Sequence, residues 1–194
     1  MCTPEAKILS ARQRELFDAI LTSFLKEGFS TFTIDGATRR FRCSKSTLYA
    51  LGTTRDEVIR RILVSFFREV ARTTDAAAAA KRSDRARLMA YFSAMTSALA
   101  SASPEFMHDV STETVAREIY ATNTRAATER IESIIESGIT SGEFRAGPTR
   151  FTAEIIRAAM ERIEQGECIG ELSSGDAYEE LGRLVLHGIS HGGQ

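Results

Sequence analysis

Apolar residues recur every three to four positions along most of the chain, and runs that alternate apolar and polar residues are absent. This spacing predicts amphipathic helices rather than strands. In the first long segment an apolar stripe runs from Leu16 to Leu25, and Gly28 is placed to end the helix in a left-handed C-cap. We predict a first helix over about 10–27 and an all-α protein of about nine helices.

Two short helices follow the first helix closely. Thr33 suits the N-cap of a helix over about 34–41, and Ser44 suits the N-cap of another that begins near Lys45 and ends near Leu51. Three residues separate the two helices. A second helix with an exposed, polar N-terminus fits a DNA major groove about 12 Å wide. The pattern therefore predicts a helix-turn-helix, although short helices joined by tight turns also occur in other helical proteins.

The next apolar stripe belongs to a longer helix that carries the chain out of this region. Its predicted N-cap is Thr54, with Glu57 as the partner in a capping box, and it runs into the alanine tract at 76–80. We predict a DNA-binding domain over 1–54, the fourth helix over about 54–80 as its connector, and a helical body over 55–194.

The remaining pattern predicts further helices with defined ends. Pro104 stops a helix that contains Leu88 and Leu99, and residues 115–139 form one long helix or two, closed by Gly138 and Gly142. The last two helices end at Gly166 and at Gly192-Gly193.

Composition and charge narrow the class of protein. The chain has 194 residues, of which 43% are hydrophobic and 26% charged, so disorder and fibrous repeats are excluded. Residues 1–75 hold 13 Lys and Arg against 9 Asp and Glu, whereas residues 76–194 hold 12 against 17. Cys2, Cys43 and Cys168 are widely spaced without a C-x-x-C pair, which predicts free thiols, and no apolar stretch suits secretion or membrane spanning. We expect a cytoplasmic protein with a basic N-terminal part.

Three stretches carry a family resemblance. They are G-F-S-T-F-T-I at Gly28 to Ile34, C-S-K-S-T-L-Y at Cys43 to Tyr49, and T-R-D-E-V at Thr54 to Val58. Their residues, order and spacing resemble the N-terminal pattern of the tetracycline-repressor (TetR) family of bacterial transcriptional regulators. The match covers about a quarter of the chain. Beyond it, only the helical architecture and the G-E-F-R-A-G stretch from Gly142 are similar.

The resemblance implies which residues face DNA. Thr33, Tyr49 and Arg55 would contact phosphates, and the residues after Ser44 would face bases or backbone, which suits the chemistry of hydroxyl and lysine side chains. Arg39 and Arg40 add positive charge nearby. The predicted DNA-binding residues are Thr33, Arg42, Ser44, Lys45, Ser46, Thr47, Tyr49 and Arg55.

The turn between the two short helices departs from the family pattern. Phe41 and Arg42 stand where the family usually has a small residue and then glycine, so Arg42 is expected to adopt a left-handed conformation at a cost of about 1 kcal/mol. After Tyr49 the usual aromatic residue is displaced, and Leu51 is expected to fill the core position beside Gly52. Base specificity is therefore not transferable from any relative.

The family's architecture also implies a ligand cavity and a dimer interface, so the resemblance makes the body over 55–194 a regulatory and dimerisation domain. Aromatic and apolar residues of the body are either core or the lining of an inducer cavity, and the sequence leaves both open. The candidate ligand-binding residues are Tyr91, Phe92, Met95, Thr96, Phe106, His108, Tyr120 and Asn123. The candidate dimer-interface residues on the last two helices are Ile155, Ile156, Ala159, Met160, Ile163, Leu181, Leu184, Val185 and Gly188.

Other chemistry finds little support in the sequence. His187 and His191 are four residues apart but lack a third metal ligand, and His108 beside Asp109 lacks a nucleophile. We predict no metal, no cofactor and no enzymatic activity.

The predicted function is a ligand-responsive, homodimeric DNA-binding regulator, a repressor released from its operator by a small molecule. The alternative is a helical ligand-binding or adaptor protein that has lost operator binding.

Overall fold

A computed structural model describes residues 9–167 and 170–191, and these ranges contain nine helices and no strand. The all-α prediction is confirmed. Cys2, Cys168 and the Gly192-Gly193 terminus of the last helix lie outside the described residues. The helices are α1 Ala11–Glu27, α2 Ile34–Arg40, α3 Lys45–Tyr49, α4 Arg55–Ala79, α5 Asp84–Leu99, α6 Pro104–Thr112, α7 Thr114–Thr140, α8 Thr149–Glu164 and α9 Ser174–Ile189.

Side-chain caps fix the starts of the first helices where the sequence placed them. Ser10 and Gln13 form a complete capping box at α1, and Gly28 ends that helix with φ +76°. Thr33 accepts a hydrogen bond from a backbone N–H of α2, and Ser44 does the same for α3. Because each cap satisfies an N–H that the helix itself leaves unpaired, the local sequence sets these boundaries.

The long helix α4 connects the N-terminal helices with the rest of the chain. Thr54 accepts from the N–H of Glu57, but the carboxylate of Glu57 binds the backbone N–H and hydroxyl of Thr53 at 2.7 and 2.6 Å rather than the backbone of Thr54. The predicted box is therefore displaced by one residue. The alanine tract is helical to Ala79, and α4 packs against α5 and α7.

Two glycines in the body pack against aromatic rings. Gly138 does not end α7, because it lies inside one continuous helix where its missing side chain admits the ring of Phe144. The helix ends at Thr140, and Gly142 follows with φ +78°. Gly182 of α9 faces Phe92 of α5 in the same way. The prediction that Gly138 terminates a helix was wrong.

The nine-residue helix α6 has no counterpart among the elements assigned from the sequence. Pro104 does not only end the preceding helix; it is also the first residue of α6, whose N-cap Ser103 accepts from the N–H of Phe106. Phe106 is fully buried between Phe29 and Phe66, with ring centroids 5.8 and 5.7 Å away. The helix therefore joins the N-terminal helices to α4. Within the described ranges, no helix has the length and apolar character to cross a membrane.

Candidate DNA-binding surface and ligand cavity

Helices α2 and α3 form the turn that the sequence predicts. Ala37 and Leu48 are buried between them and the neighbouring helices, and the N–H of Cys43 bonds the carbonyl of Thr38 at 3.1 Å. Arg42 has φ +47°, the only positive φ outside glycine among the residues described. Its left-handed conformation is confirmed, and Leu51 is buried as expected.

The N-terminal end of α3 presents a cluster of hydroxyl groups to solvent. The hydroxyl of Ser44 lies 2.8 Å from those of Ser46 and Thr47, and it also accepts from the N–H of Thr47. Ser44 and Ser46 are exposed and Thr47 is half-buried. Thr33, at the start of α2, is exposed as well. These groups can donate to or accept from phosphate oxygens and base edges.

Lys45 and Tyr49 stand on the exposed side of the same helix. The amino group of Lys45 lies 2.8 Å from a carboxylate oxygen of Asp35, and this hydrogen bond raises the pKa of Lys45. The side chain is therefore cationic, and because its ion pair is exposed to solvent and weak, a phosphate can displace Asp35. Tyr49 is 43% exposed, which is high for a large aromatic side chain.

Arginines near the turn have different environments. Arg40 is paired with Glu27 at 2.9 and 2.6 Å and lies over the ring of Phe41, whereas Arg39 and Arg42 are exposed. Arg55 departs from its predicted phosphate contact. Its guanidinium is turned toward the interior, where it binds backbone carbonyls and the carboxylate of Glu113. Seven of the eight predicted DNA-binding residues thus lie on the exposed surface around α2 and α3. The eighth, Arg55, makes its contacts inside the protein.

A cavity of about 100 Å³ lies in the body between α4, α5, α7, α8 and α9. Its walls are mostly apolar and come from both the long helices and the last two. Four of the predicted ligand-binding residues line it: Tyr91, Met95, Tyr120 and Asn123. Further lining residues are Phe67, Val70, Thr74, Asp75, Leu99, Thr124, Arg130, Met160 and Tyr178. The body therefore combines a packed core with a small pocket at these residues.

The polar groups that face this cavity have hydrogen-bond partners within the protein. The hydroxyl oxygens of Tyr120 and Tyr178 lie 2.6 Å apart, and each lies within hydrogen-bond distance of the carbonyl of Met160. Nε of Arg130 donates to Asp75 at 2.9 Å. Burial raises the pKa of Tyr91 to about 12 and that of Tyr120 well above its ordinary value. These phenols are therefore neutral hydrogen-bonding groups.

The other four predicted ligand-binding residues do not line the cavity. Phe92 is buried against Gly182, and Phe106 is buried between the rings of Phe29 and Phe66. The hydroxyl of Thr96 donates to the carbonyl of Gly175 at 3.0 Å, and His108 is exposed. Sequence reasoning missed Asp75, Arg130 and Tyr178. The signal for Arg130 was its spacing of seven residues from Asn123, which puts both on one face of α7.

An apolar face on α8 and α9 is open to solvent. Ile155 is 54% exposed and Leu184 is 65% exposed, and Phe151, which was not among the predicted residues, is 64% exposed. Ala159, Leu181 and Val185 are half-buried beside them, and Gly188 is exposed. Ile156, Met160 and Ile163 of the predicted interface set are instead buried against the core of the protomer itself.

Among the described residues no group of three His, Cys, Asp or Glu side chains is placed to hold a metal ion. The ring nitrogens of His187 and His191 instead lie 2.9 and 3.2 Å from backbone carbonyls of Arg183 and Gly142.

Solved structures share this arrangement of helices. A TetR-family transcriptional regulator from Agrobacterium tumefaciens matches with a TM-score of 0.72 at 13% identity, over 93% of this chain and 98% of that one. The fatty acid degradation regulator FadR from Bacillus halodurans matches with a TM-score of 0.72 at 12% identity, over 96% and 100%. The ketosteroid transcriptional regulator KstR2 of Mycobacterium tuberculosis gives 0.63 at 16% identity, over 95% and 98%.

These likenesses show that the chain has the fold of TetR-family transcriptional regulators over nearly its whole length. No protein-family model matches the sequence, and no curated protein matches it.

Proposed function

We propose that this chain is a ligand-responsive, dimeric, DNA-binding transcriptional regulator, a repressor that leaves its operator when a small molecule binds the cavity. The observation that carries the proposal is the path of α4. Five residues separate the end of α3 from the start of this helix, and its second half supplies Phe67, Val70 and Asp75 to the wall of the cavity. A change in the cavity therefore acts on an element that is directly connected to the exposed helix-turn-helix.

The proposed DNA contacts use the exposed end of α3. Lys45 would donate to a guanine edge or a phosphate, the hydroxyls of Ser44, Ser46 and Thr47 would meet bases or backbone, and Arg42 would add charge. At the flanks, Thr33 and Tyr49 would bond phosphates. Arg55 is omitted from this set because its guanidinium is engaged inside the protein. The basic balance of residues 1–75 supports an anionic partner.

A second copy of the chain would cover the apolar face on α8 and α9. Phe151, Ile155 and Leu184 leave most of their surface in water in a single protomer, and an uncovered apolar patch of this kind marks an interface. Two recognition helices related by a two-fold axis would fit successive major grooves about 34–36 Å apart. In this arrangement Ala159, Leu181, Val185 and Gly188 would complete the contact.

The effector would be a small, largely apolar molecule with one or two polar groups. Aliphatic and aromatic side chains form most of the wall, and the Tyr120–Tyr178 pair and Asn123 offer hydrogen bonds. A cavity of about 100 Å³ is smaller than the roughly 150 Å³ that holds benzene, so a larger effector must widen it. An effector that prefers the widened state weakens DNA binding by its difference in affinity for the two states.

DNA binding can be tested without knowing the operator. A random duplex library is selected on the purified full-length protein, and fluorescence anisotropy then compares a selected duplex with a scrambled one across a salt series. We expect specific binding with two protomers per site and an affinity that falls steeply with salt. Equal binding to both duplexes would reject the regulator and favour the ligand-binding or adaptor protein.

The first prediction concerns Lys45. Lys45→Ala should weaken binding to the selected duplex about tenfold and, if it meets a phosphate, flatten the salt slope by about 0.9. The matched control is Lys81→Ala, which removes an exposed lysine far along the chain from α3. Equal loss in both variants would mean that α3 does not read DNA.

A further inference from the structure

The turn between α1 and α2, residues 28–32, has its backbone amides bound by a side chain from another part of the fold. The N–H groups of Phe29 and Ser30 both donate to Oδ2 of Asp109 in α6, the second at 2.7 Å. Asp109 is buried. Gly28 leaves room for this carboxylate, because a Cβ there would collide with it. One anionic side chain therefore satisfies two adjacent backbone donors.

The carbonyl groups of the same turn are bound from the other side. Nη2 of Arg55 lies 3.2 Å from the carbonyl of Phe29 and 3.0 Å from that of Ser30, and its Nε donates to the carbonyl of Phe32 at 3.0 Å. Glu113 holds the guanidinium in place through two hydrogen bonds of 3.1 and 3.0 Å. This pairing also raises the pKa of Arg55, so its charge is retained.

Helix α6 is attached to the N-terminal helices at both ends. At its start the N–H of Ser103 donates to the carbonyl of Leu25 in α1 at 2.8 Å, and at its end Glu113 is the residue directly before α7. Two turns further along α7, Tyr120 lines the cavity. The turn is thus held by α6 and by Glu113, the single residue that joins α6 to α7 and so to the cavity wall.

We propose that Asp109 and Glu113 are positioning residues that fix the orientation of the helix-turn-helix relative to the body. Thr33 follows the clamped turn directly as the N-cap of α2, so the position of the turn sets the direction of α2 and, through it, of α3. Asp109 acts on the amides directly, and Glu113 acts through Arg55. We call Asp109, Glu113 and Arg55 the clamp. Besides α4, the clamp adds a second connection between the cavity and α3.

The proposal is tested first without DNA, by hydrogen exchange on the full-length protein. Asp109→Asn weakens the acceptor for the two amides, and Glu113→Gln removes the charge that holds Arg55. We expect exchange in residues 28–33 to become at least about tenfold faster in both variants while α5 and α9 keep their protection. The matched control is Glu118→Gln, which breaks the exposed Arg60–Glu118 pair between α4 and α7, five residues further along the chain than Arg55 and Glu113.

A second readout separates positioning from general loss of stability, and it rests on the proposed DNA binding. The selected duplex is compared with the same duplex lengthened by one central base pair. Two helix-turn-helix units held at a fixed orientation discriminate between the two duplexes. Glu113→Gln should therefore reduce the ratio of affinities for the original and the lengthened duplex at least about threefold, and Glu118→Gln should leave this ratio unchanged.

The two readouts fail in different ways. Unchanged exchange in residues 28–33 in both clamp variants would overturn the proposal whether or not the protein binds DNA. Faster exchange with an unchanged affinity ratio would also overturn it, because the clamp would then be only a local support. Absence of any specific DNA binding would reject the proposed function while leaving the clamp to be judged by the exchange data.

Discussion

The ionisation of Glu164 depends strongly on its surroundings. Its side chain is only 7% exposed, and burial, with a smaller contribution from Glu161, raises its pKa to about 7, while Arg117 acts in the opposite direction. Its charge is also felt by the phenols of Tyr120 and Tyr178 at the cavity. A buried carboxyl group of this kind is favourable when protonated and costly when ionised.

The sign of the resulting pH dependence follows from the raised pKa. The folded protein holds the proton of Glu164 more tightly than the unfolded chain, so this contribution to stability is complete below about pH 4.5 and is lost as the pH rises through about 7. We predict that Glu164→Gln raises the free energy of unfolding by up to about 3 kcal/mol at pH 8, relative to its effect at pH 4. Urea denaturation followed by circular dichroism at several pH values measures the difference.

Glu129→Gln, at an exposed position on α7, is the control for that measurement. A parallel dependence of wild type and Glu164→Gln on pH would show that Glu164 does not carry the effect.

Single residues were predictable where their partners are near in sequence. The N-caps Thr33, Ser44 and Thr54 each accept from the amide three positions ahead, so the local pattern suffices. The partners of Arg55 inside the protein were missed because Glu113 lies 58 residues away, and nothing local distinguishes an arginine that meets a phosphate from one that meets a carboxylate. The burial of Glu164 is equally invisible in the sequence.

At the scale of the helices, periodicity located most elements and left their contacts unknown. The stripe of α4 and the cap before it predicted that helix well, whereas α6 is only nine residues long and offers too few turns to show a period. Gly138 was taken for a terminator because a glycine near the end of a stripe usually is one. Its actual role depends on Phe144, which returns to it beyond the helix end.

The contact of α5 with α9 gives a prediction at this scale. A Cβ on Gly182 would lie 2.6 Å from Cγ of Phe92, so Gly182→Ala should lower the free energy of unfolding by about 1–3 kcal/mol through overpacking. Urea denaturation measures the loss. Combining it with Phe92→Leu, which removes the opposing ring, should give a total smaller than the sum of the single effects. Strict additivity of the two changes would show that the helices do not meet there.

For the whole molecule, the sequence predicted an N-terminal helix-turn-helix domain and a larger helical domain. It could not show which apolar surfaces face the core of the protomer and which remain on its outside. A helix with apolar residues on two sides presents one side to its own core and the other to a partner. Ile156 and Ile155 are neighbours in sequence and fall on different sides of α8. Tyr178 was missed at the cavity for a related reason, since only the packing of α9 brings it to Tyr120.

The assembly can be tested on the exposed side of α9. Leu184→Glu should convert a dimer into monomers, because the charge would be buried at the contact, whereas the protomer should keep its stability because the side chain is 65% exposed there. Sedimentation velocity measures the mass, and Leu172→Glu, at an exposed leucine before α9, is the control. A wild-type monomer, or a Leu184→Glu dimer, would remove the proposed interface.

The clamp on residues 28–32 has a consequence for biosynthesis. Asp109 is made 80 residues after Phe29. The turn at residues 28–32 is therefore synthesised before the side chain that binds its amides. At about 5–20 residues per second the delay is roughly 4–16 s. If the clamp orients the helix-turn-helix as proposed, that orientation is absent until α6 emerges, and we expect an incomplete chain to recognise DNA poorly.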